Sequence, residues 1–277
     1  FERILSLHEQ YGVPANLNIS GTLLESIAWY RPGFLKRVRS LYDRGLLEIV
    51  GSCYAQNIMR FFSYNHNLAQ LNEQLFLYER HLGIDARNIK VFWPPERVWD
   101  TDHIAPVLRD PRLLNGGYRF VLVDDRVLLP GGVNSPRSEY DNDRRWRKEM
   151  FQAWQIRNSH GLVALPIATT LRECLPPRDP QHWERLEAQF DWLSEQKSTS
   201  LVGIYADDFE KPAAVGWDDR GPAQFAAFLD RLTRRDDLTA VRLSAWAVPE
   251  RVAGVRTIEP GTFFELAHEF GAGENYD

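Results

Sequence analysis

Two carboxylate clusters each follow a short apolar run. Glu96 sits in Trp93-Pro94-Pro95-Glu96-Arg97-Val98-Trp99-Asp100, behind the run Lys90–Pro94; Asp207, Asp208 and Glu210 sit in Tyr205-Ala206-Asp207-Asp208-Phe209-Glu210-Lys211, behind Leu201–Ala206. Glycosidic bond cleavage needs such an apparatus: one carboxylate as nucleophile or base, and one carboxylic acid to protonate the departing oxygen. Of the nine tryptophans, Trp93, Trp99, Trp217 and Trp246 fall at or near the ends of apolar runs. Indole faces can stack on the C–H faces of a sugar while the ring N–H still donates. Trp183 and Trp192 recur at helical spacing and read instead as packing residues. Two further polar ends, Cys53-Tyr54-Ala55-Gln56-Asn57 and Asp124-Asp125-Arg126, follow the runs Leu47–Ser52 and Arg119–Asp124.

Positioning these groups requires alternating strands and helices. Strands are expected at Asn16–Ser20, Leu47–Ser52, Lys90–Pro94, Arg119–Asp124, Leu162–Ile167, Leu201–Ala206 and Ala240–Trp246. Helical spacing of Leu68, Leu71, Leu75, Tyr78 and Leu82 stops at Gly83; Trp183, Leu186, Phe190 and Leu193 repeat it, and Phe225, Phe228, Leu229 and Leu232 follow Pro222. This alternation is the signature of an α/β fold on a mainly parallel sheet. In such folds the ligand site lies at the carboxyl ends of the strands, where both carboxylate clusters fall. Residues 129–160 break the rhythm with Pro, Gly, Asn and the basic run Arg144-Arg145-Trp146-Arg147-Lys148. This segment is expected to be an irregular excursion, with room for a hairpin, whose charges form a solvated face.

The 277 residues suit one large domain of β/α barrel size, and no linker divides them. A net charge of -5 argues against a nucleic-acid partner, because phosphate binding needs a basic face. No apolar run approaches the roughly 20 residues of a membrane span. No signal peptide is visible, but with no initiator Met the start does not report the compartment, which is left open with a cytoplasmic setting expected ahead of a secreted one. Cys53 and Cys174, far apart and outside any CxxC pair, are expected to be buried thiols. No phosphate loop, nucleophile elbow or dinucleotide fingerprint occurs, and no cofactor is called for.

The motifs resemble those of glycoside hydrolase family 57. Trp93–Trp99 and Tyr205–Lys211 look like that family's third and fourth motifs, Leu47–Gln56 is similar to the second, and Phe120–Asp125 to a strand carrying a buried Asp. Ala164–Pro177 is similar to the family's strand followed by an Arg-containing segment and proline, and Gly261–Leu266 to the start of its last motif. The resemblance implies an incomplete (β/α)7 barrel and retaining chemistry on α-linked glucans: amylase, 4-α-glucanotransferase or branching activity. It implies Glu96 as nucleophile and Asp208 as general acid/base, with Trp93, Arg97, Trp99, Tyr54, Gln56, Asp125 and Trp217 binding or orienting an oligo- or polysaccharide. Arg97 or Arg172 is expected to keep the nucleophile ionised, and Asp207 and Glu210 to crowd Asp208 toward an acid's working range.

The family's opening His-Gln-Pro has no counterpart, and the chain begins in helical rhythm without Met, so the expectation is a barrel cut at both ends. Gln56 and Asn57 stand where some relatives carry His or Glu. Two rival readings remain. A metal-dependent polysaccharide deacetylase would need an Asp with two closely spaced His, whereas His8, His66, His81, His103, His160, His182 and His268 are scattered. A barrel that binds carbohydrate without turnover is the other; the presence of both carboxylates speaks against it. Oligomeric state is left open.

Overall fold

The computed structural model describes residues 1–128, 148–212 and 220–263. Its strands are β1 (Ala15–Asn18), β2 (Leu47–Val50), β3 (Val91–Phe92), β4 (Phe120–Asp124), β5 (Ala153–Ile156), β6 (Val163–Ile167) and β7 (Val252–Arg256). The helices are α1 (Glu2–Tyr11), α2 (Gly21–Tyr30), α3 (Pro32–Asp43), α4 (Tyr64–Leu82), α5 (Thr101–Leu108), α6 (Thr169–Cys174), α7 (Pro180–Glu195), α8 (Gly221–Thr233) and α9 (Leu243–Trp246).

Strands β1 and β2 pair in parallel, and the remaining five form a sheet in the order β3-β4-β6-β5-β7. A parallel bridge between Gly51 and Phe92 carries the pairing from β2 to β3. Glycine is required at that seam, because a Cβ on residue 51 would lie 2.4 Å from the Tyr118 ring. All pairs are parallel except β5 with β6. The parallel strands β2 and β4 are buried along their whole length, as expected when both faces of a sheet are covered. Along β4, Val121 and Val123 join one core with β1, β2 and α2 to α5, while Phe120 and Leu122 join another with Val50, Val91, Leu165, Ile167, Ile204, Ala206 and Leu243. A third core joins α1, α6, α7 and α8.

Helix boundaries follow their caps. Ser63 accepts from the His66 N–H at the start of α4, which ends at Gly83 with φ 63°. Asp179 accepts from the His182 N–H and Pro180 opens α7.

Three expectations are corrected. Ala240–Trp246 is not a strand: its last residues form α9, because Asn16 accepts from the Leu243 N–H (3.1 Å) and Glu48 from the Ser244 N–H (3.1 Å). Carboxylate and amide side chains on β1 and β2 thereby satisfy the first N–H groups of this short helix, a long-range effect outside any local sequence window. Leu201–Ala206 forms no strand of the sheet. It is held by Val202 N–H to Phe151 O and Ala168 N–H to Ile204 O, both 2.8 Å. The excursion is also shorter than expected, since Ala153–Ile156 is a sheet strand and forms a hairpin with β6. The turn between them carries Asn158, His160 and Gly161 at positive φ. Strand β7 has no counterpart among the expected elements. Arg144–Arg147, at the centre of the basic run, lie outside the described residues, as does Trp217.

Candidate active site

Strand β3 leads into a single turn of 3-10 helix, Pro95–Arg97. Glu96 (φ 53°, ψ 20°) and Arg97 (φ 52°) are both left-handed, a conformation costing a non-glycine residue roughly 1–2 kcal/mol. Two consecutive residues hold it only if their surroundings enforce it. Those surroundings are visible. The Arg97 N–H donates to Pro94 O (2.9 Å), and Trp99 exchanges both backbone hydrogen bonds with Gly261 (2.7 and 2.9 Å). The Thr262 hydroxyl donates to Glu96 O (2.6 Å). The turn leaves Glu96 exposed and drives Arg97 inward, to 6% exposure.

Arg97 ties the two carboxylate clusters together. Its Nη1 donates to Asp124 Oδ2 at the end of β4 (3.2 Å) and its Nη2 to Ala206 O, two residues before Asp208 (3.2 Å). Burial pushes the Asp124 carboxyl above its usual range, and the Arg97 charge opposes that rise. Asp207 is engaged by Lys211 and lies 3.6 Å from Arg172 Nε. Asp207 Oδ1 also accepts from the Asp208 N–H (3.0 Å), and the Lys211 N–H donates to Asp208 O (3.1 Å), closing a turn that presents Asp208 to solvent. Among the described residues the buried Tyr205 hydroxyl makes no hydrogen bond, and burial, with the Asp207 charge, raises that phenol well above its usual value.

The other expected site residues divide. Asp125 is 2% exposed and receives hydrogen bonds from Thr169 Oγ1 (2.8 Å) and the Thr169 N–H (3.0 Å), so it fastens the start of α6. Trp93 is half-buried against the core inside the sheet. Trp99 is 0% exposed, its Nε1 donating to Thr101 Oγ1 (3.0 Å), and offers no face to a ligand. Tyr54 donates to Glu25 (2.7 Å) and exposed Gln56, itself left-handed at φ 54°, to Asn18 Oδ1 (3.3 Å). Those two line the β1–β2 end of the sheet rather than the Arg97 network. The expectation that Arg97 would serve Glu96 directly is replaced by its bonds to Asp124 and Ala206, and Arg172 lies by Asp207. Sequence reasoning left Tyr205 and Thr262 without a role. Only the motif around each could have flagged them, since neither residue type is diagnostic alone. Among the described residues no group of three or more His, Cys, Asp or Glu is disposed to hold a metal ion, and no helix is long and apolar enough to cross a membrane.

The chain resembles known proteins in sequence and fold. The family model described as glycosyl hydrolase family 57 matches residues 1–246. A 4-alpha-glucanotransferase of Thermococcus litoralis is 25% identical over 269 residues, covering 94% of this chain and 36% of its own length. An alpha-amylase of Pyrococcus horikoshii is 24% identical, covering 95% and 38%. The chain thus spans a little over a third of the length of these curated relatives. The crystal structure of the Thermococcus litoralis 4-alpha-glucanotransferase superposes with a TM-score of 0.77 at 23% identity, covering 96% of this chain and 38% of that one. A putative polysaccharide deacetylase from Mycobacterium smegmatis superposes at 0.60 with 14% identity, covering 94% and 80%, a likeness of fold alone.

Proposed function

From the premise that this chain belongs to glycosyl hydrolase family 57, we propose that it is the catalytic domain of a retaining glycoside hydrolase or transglycosylase acting on α-linked glucans. Glu96 attacks the anomeric carbon as the bond to the leaving oxygen breaks, and Asp208 gives that oxygen a proton. Asp208 then takes a proton from water or an acceptor sugar hydroxyl, whose oxygen displaces Glu96 from the anomeric carbon. The observation that carries this reading is the buried Arg97, which joins the turn bearing Glu96 to the segment bearing Asp208. A double displacement needs its two carboxyl groups on opposite sides of one bond at a fixed separation, and a shared rigid link supplies that constraint. The choice of Asp208 over Asp207 is supported by the cations that engage Asp207 while Asp208 stays exposed.

We read the architecture as an incomplete (β/α)7 barrel in one domain. One core draws side chains from β2, β3, β4 and β6, from Ile204 and Ala206 and from Leu243, as the inward positions of a closing sheet would. The substrate reading takes the names of the two curated relatives, both enzymes of α-glucans, as its support. Proton NMR of the first product formed from maltoheptaose tests the mechanism. Retention of the anomeric configuration is expected; prompt appearance of the inverted anomer removes the nucleophile role from Glu96.

A further inference from the structure

The segment after β7 returns to the catalytic turn and touches it at three consecutive residues. Gly261 forms the antiparallel bridge with Trp99. Thr262, 0% exposed, donates its hydroxyl to Glu96 O at 2.6 Å. The Phe263 ring lies under two guanidinium groups, with Arg97 Cζ and Arg172 Cζ each 5.6 Å from its centroid, inside the range of cation–π attraction. Upstream, Thr101 Oγ1, which accepts from the Trp99 indole, lies 3.5 Å from Ile258 O. The segment therefore bears on both halves of the site: on the Glu96 turn through Gly261 and Thr262, and on the arginines beside Asp124 and Asp207 through Phe263.

We infer that Gly261–Phe263 is a strap that sets the direction of the Glu96 carboxylate, with Thr262 as its positioning residue. This rests on the reading of Glu96 as nucleophile. Two adjacent left-handed residues have an alternative at hand, since either can relax to a right-handed conformation and swing the carboxylate away. The bond from Thr262 falls on the carbonyl of Glu96 itself and so opposes rotation of the peptide unit joining Glu96 to Arg97. Its buried hydroxyl has little else to do there, and the donor is well placed to select one backbone state of the nucleophile without meeting substrate. A displacement of about 1 Å in such a group can cost on the order of a hundredfold in rate. Losing one of several restraints on the turn should cost less.

The test compares T262V, which keeps shape and removes the hydroxyl, with T262S, which keeps the hydroxyl, in the full chain acting on maltoheptaose. T262V is expected to lower kcat roughly tenfold with KM within about twofold. It should lower by the same factor the rate at which a fluorosugar trap labels Glu96. T262S is expected to recover most of the parent rate, and both variants to melt within a few degrees of the parent. A parent-like kcat in T262V overturns the strap, as do equal losses in both variants or a T262V chain that is unfolded at the assay temperature. E96Q separates this failure from that of the underlying reading. If E96Q turns over like the parent, the nucleophile assignment falls and the strap's role falls with it. An inert E96Q beside a parent-like T262V overturns the strap alone.

Discussion

The turns that carry Glu96 and Asp208 are built to different rules. Around Glu96 the restraints come from distant parts of the chain: Asp124 and Ala206 hold Arg97, Gly261 holds Trp99, and Thr262 holds Glu96 itself. Around Asp208, among the described residues, more of them are local, with Lys211 folding back onto Asp207 and Asp208, while Arg172 reaches in from α6 and Arg97 holds Ala206. The difference fits the two proposed tasks. A nucleophile must meet one carbon along one line, whereas a proton donor and acceptor works within ordinary hydrogen-bonding reach. The turns also differ in support, since Trp99 belongs to the cluster of β1 to β4 and α2 to α5, while Phe209 packs on both that cluster and the one of α1, α6, α7 and α8.

The largest expected effect is that of E96Q, which should lower kcat on maltoheptaose by roughly 10⁴-fold or more with the melting temperature almost unchanged. D208N should follow, by roughly 10² to 10⁴. A substrate whose leaving group needs no proton, such as a glycosyl fluoride, should recover much of the first step in D208N and none in E96Q. Equal recovery in both would erase the distinction between the turns. D207N should act in the opposite sense, lowering stability by about 2 kcal/mol through its lost charged partners and touching turnover less than D208N does. A larger kinetic loss in D207N would move the acid/base role to Asp207.

R97L strikes the link between the turns. Removing the cation strips Asp124, 1% exposed, of that partner, and breaking such a buried pair costs roughly 3–5 kcal/mol. The pH dependence has a defined sign. Burial already raises the folded-state pKa of Asp124, and loss of Arg97 raises it further, so the native state holds a proton that the unfolded chain has lost. The stability deficit of R97L should therefore shrink as pH falls through that raised value. Urea titrations from pH 8 down to pH 4 measure it, and a deficit constant across that range would mean that Asp124 is not the group left exposed to the loss.

Much of the fold was legible because local patterns carried it. The apolar run Phe120–Val123 of β4, the helix stopped by Gly83 and the proline starts of α7 and α8 all depend on short-range sequence. Residues 240–246 misled because hydrogen bonds donated by the Leu243 and Ser244 N–H groups to Asn16 and Glu48, some two hundred positions away, decide in favour of a helix at Leu243–Trp246. At the candidate site, the motifs pointed to Glu96, Asp208 and Arg97 but not to what Arg97 holds. A guanidinium beside a glutamate in sequence suggests a pair; the left-handed turn instead sends the two side chains apart, one outward and one inward. Trp99 shows the same limit, since tryptophan at a strand end fits stacking and packing equally until its burial is known.

The smallest effect tests whether the two supporting cores are independent. His8 on α1 lies with its ring 5.7 Å from Phe225 of α8, and its Nδ1–H donates to Val13 O (2.9 Å). Burial lowers its pKa below the usual 6.5, outweighing that hydrogen bond. With the folded value depressed, its contribution to stability is present in full above about pH 6.5. It declines as pH falls further, because the unfolded chain gains a proton that the native state resists. The ring of Phe1, at the head of α1, stacks on Phe209 at 6.0 Å, so loosening α1 bears on the residue next to Asp208. Hydrogen exchange compared at pH 7 and pH 5, corrected for intrinsic rates, should show protection falling in α1 and α8 while β3, β4 and α5 hold theirs. H8Q should abolish the pH dependence of that contrast. A uniform loss across both cores would mean that the halves open as one unit, and that the local build of the Asp208 turn reflects its own contacts rather than a separately stable support.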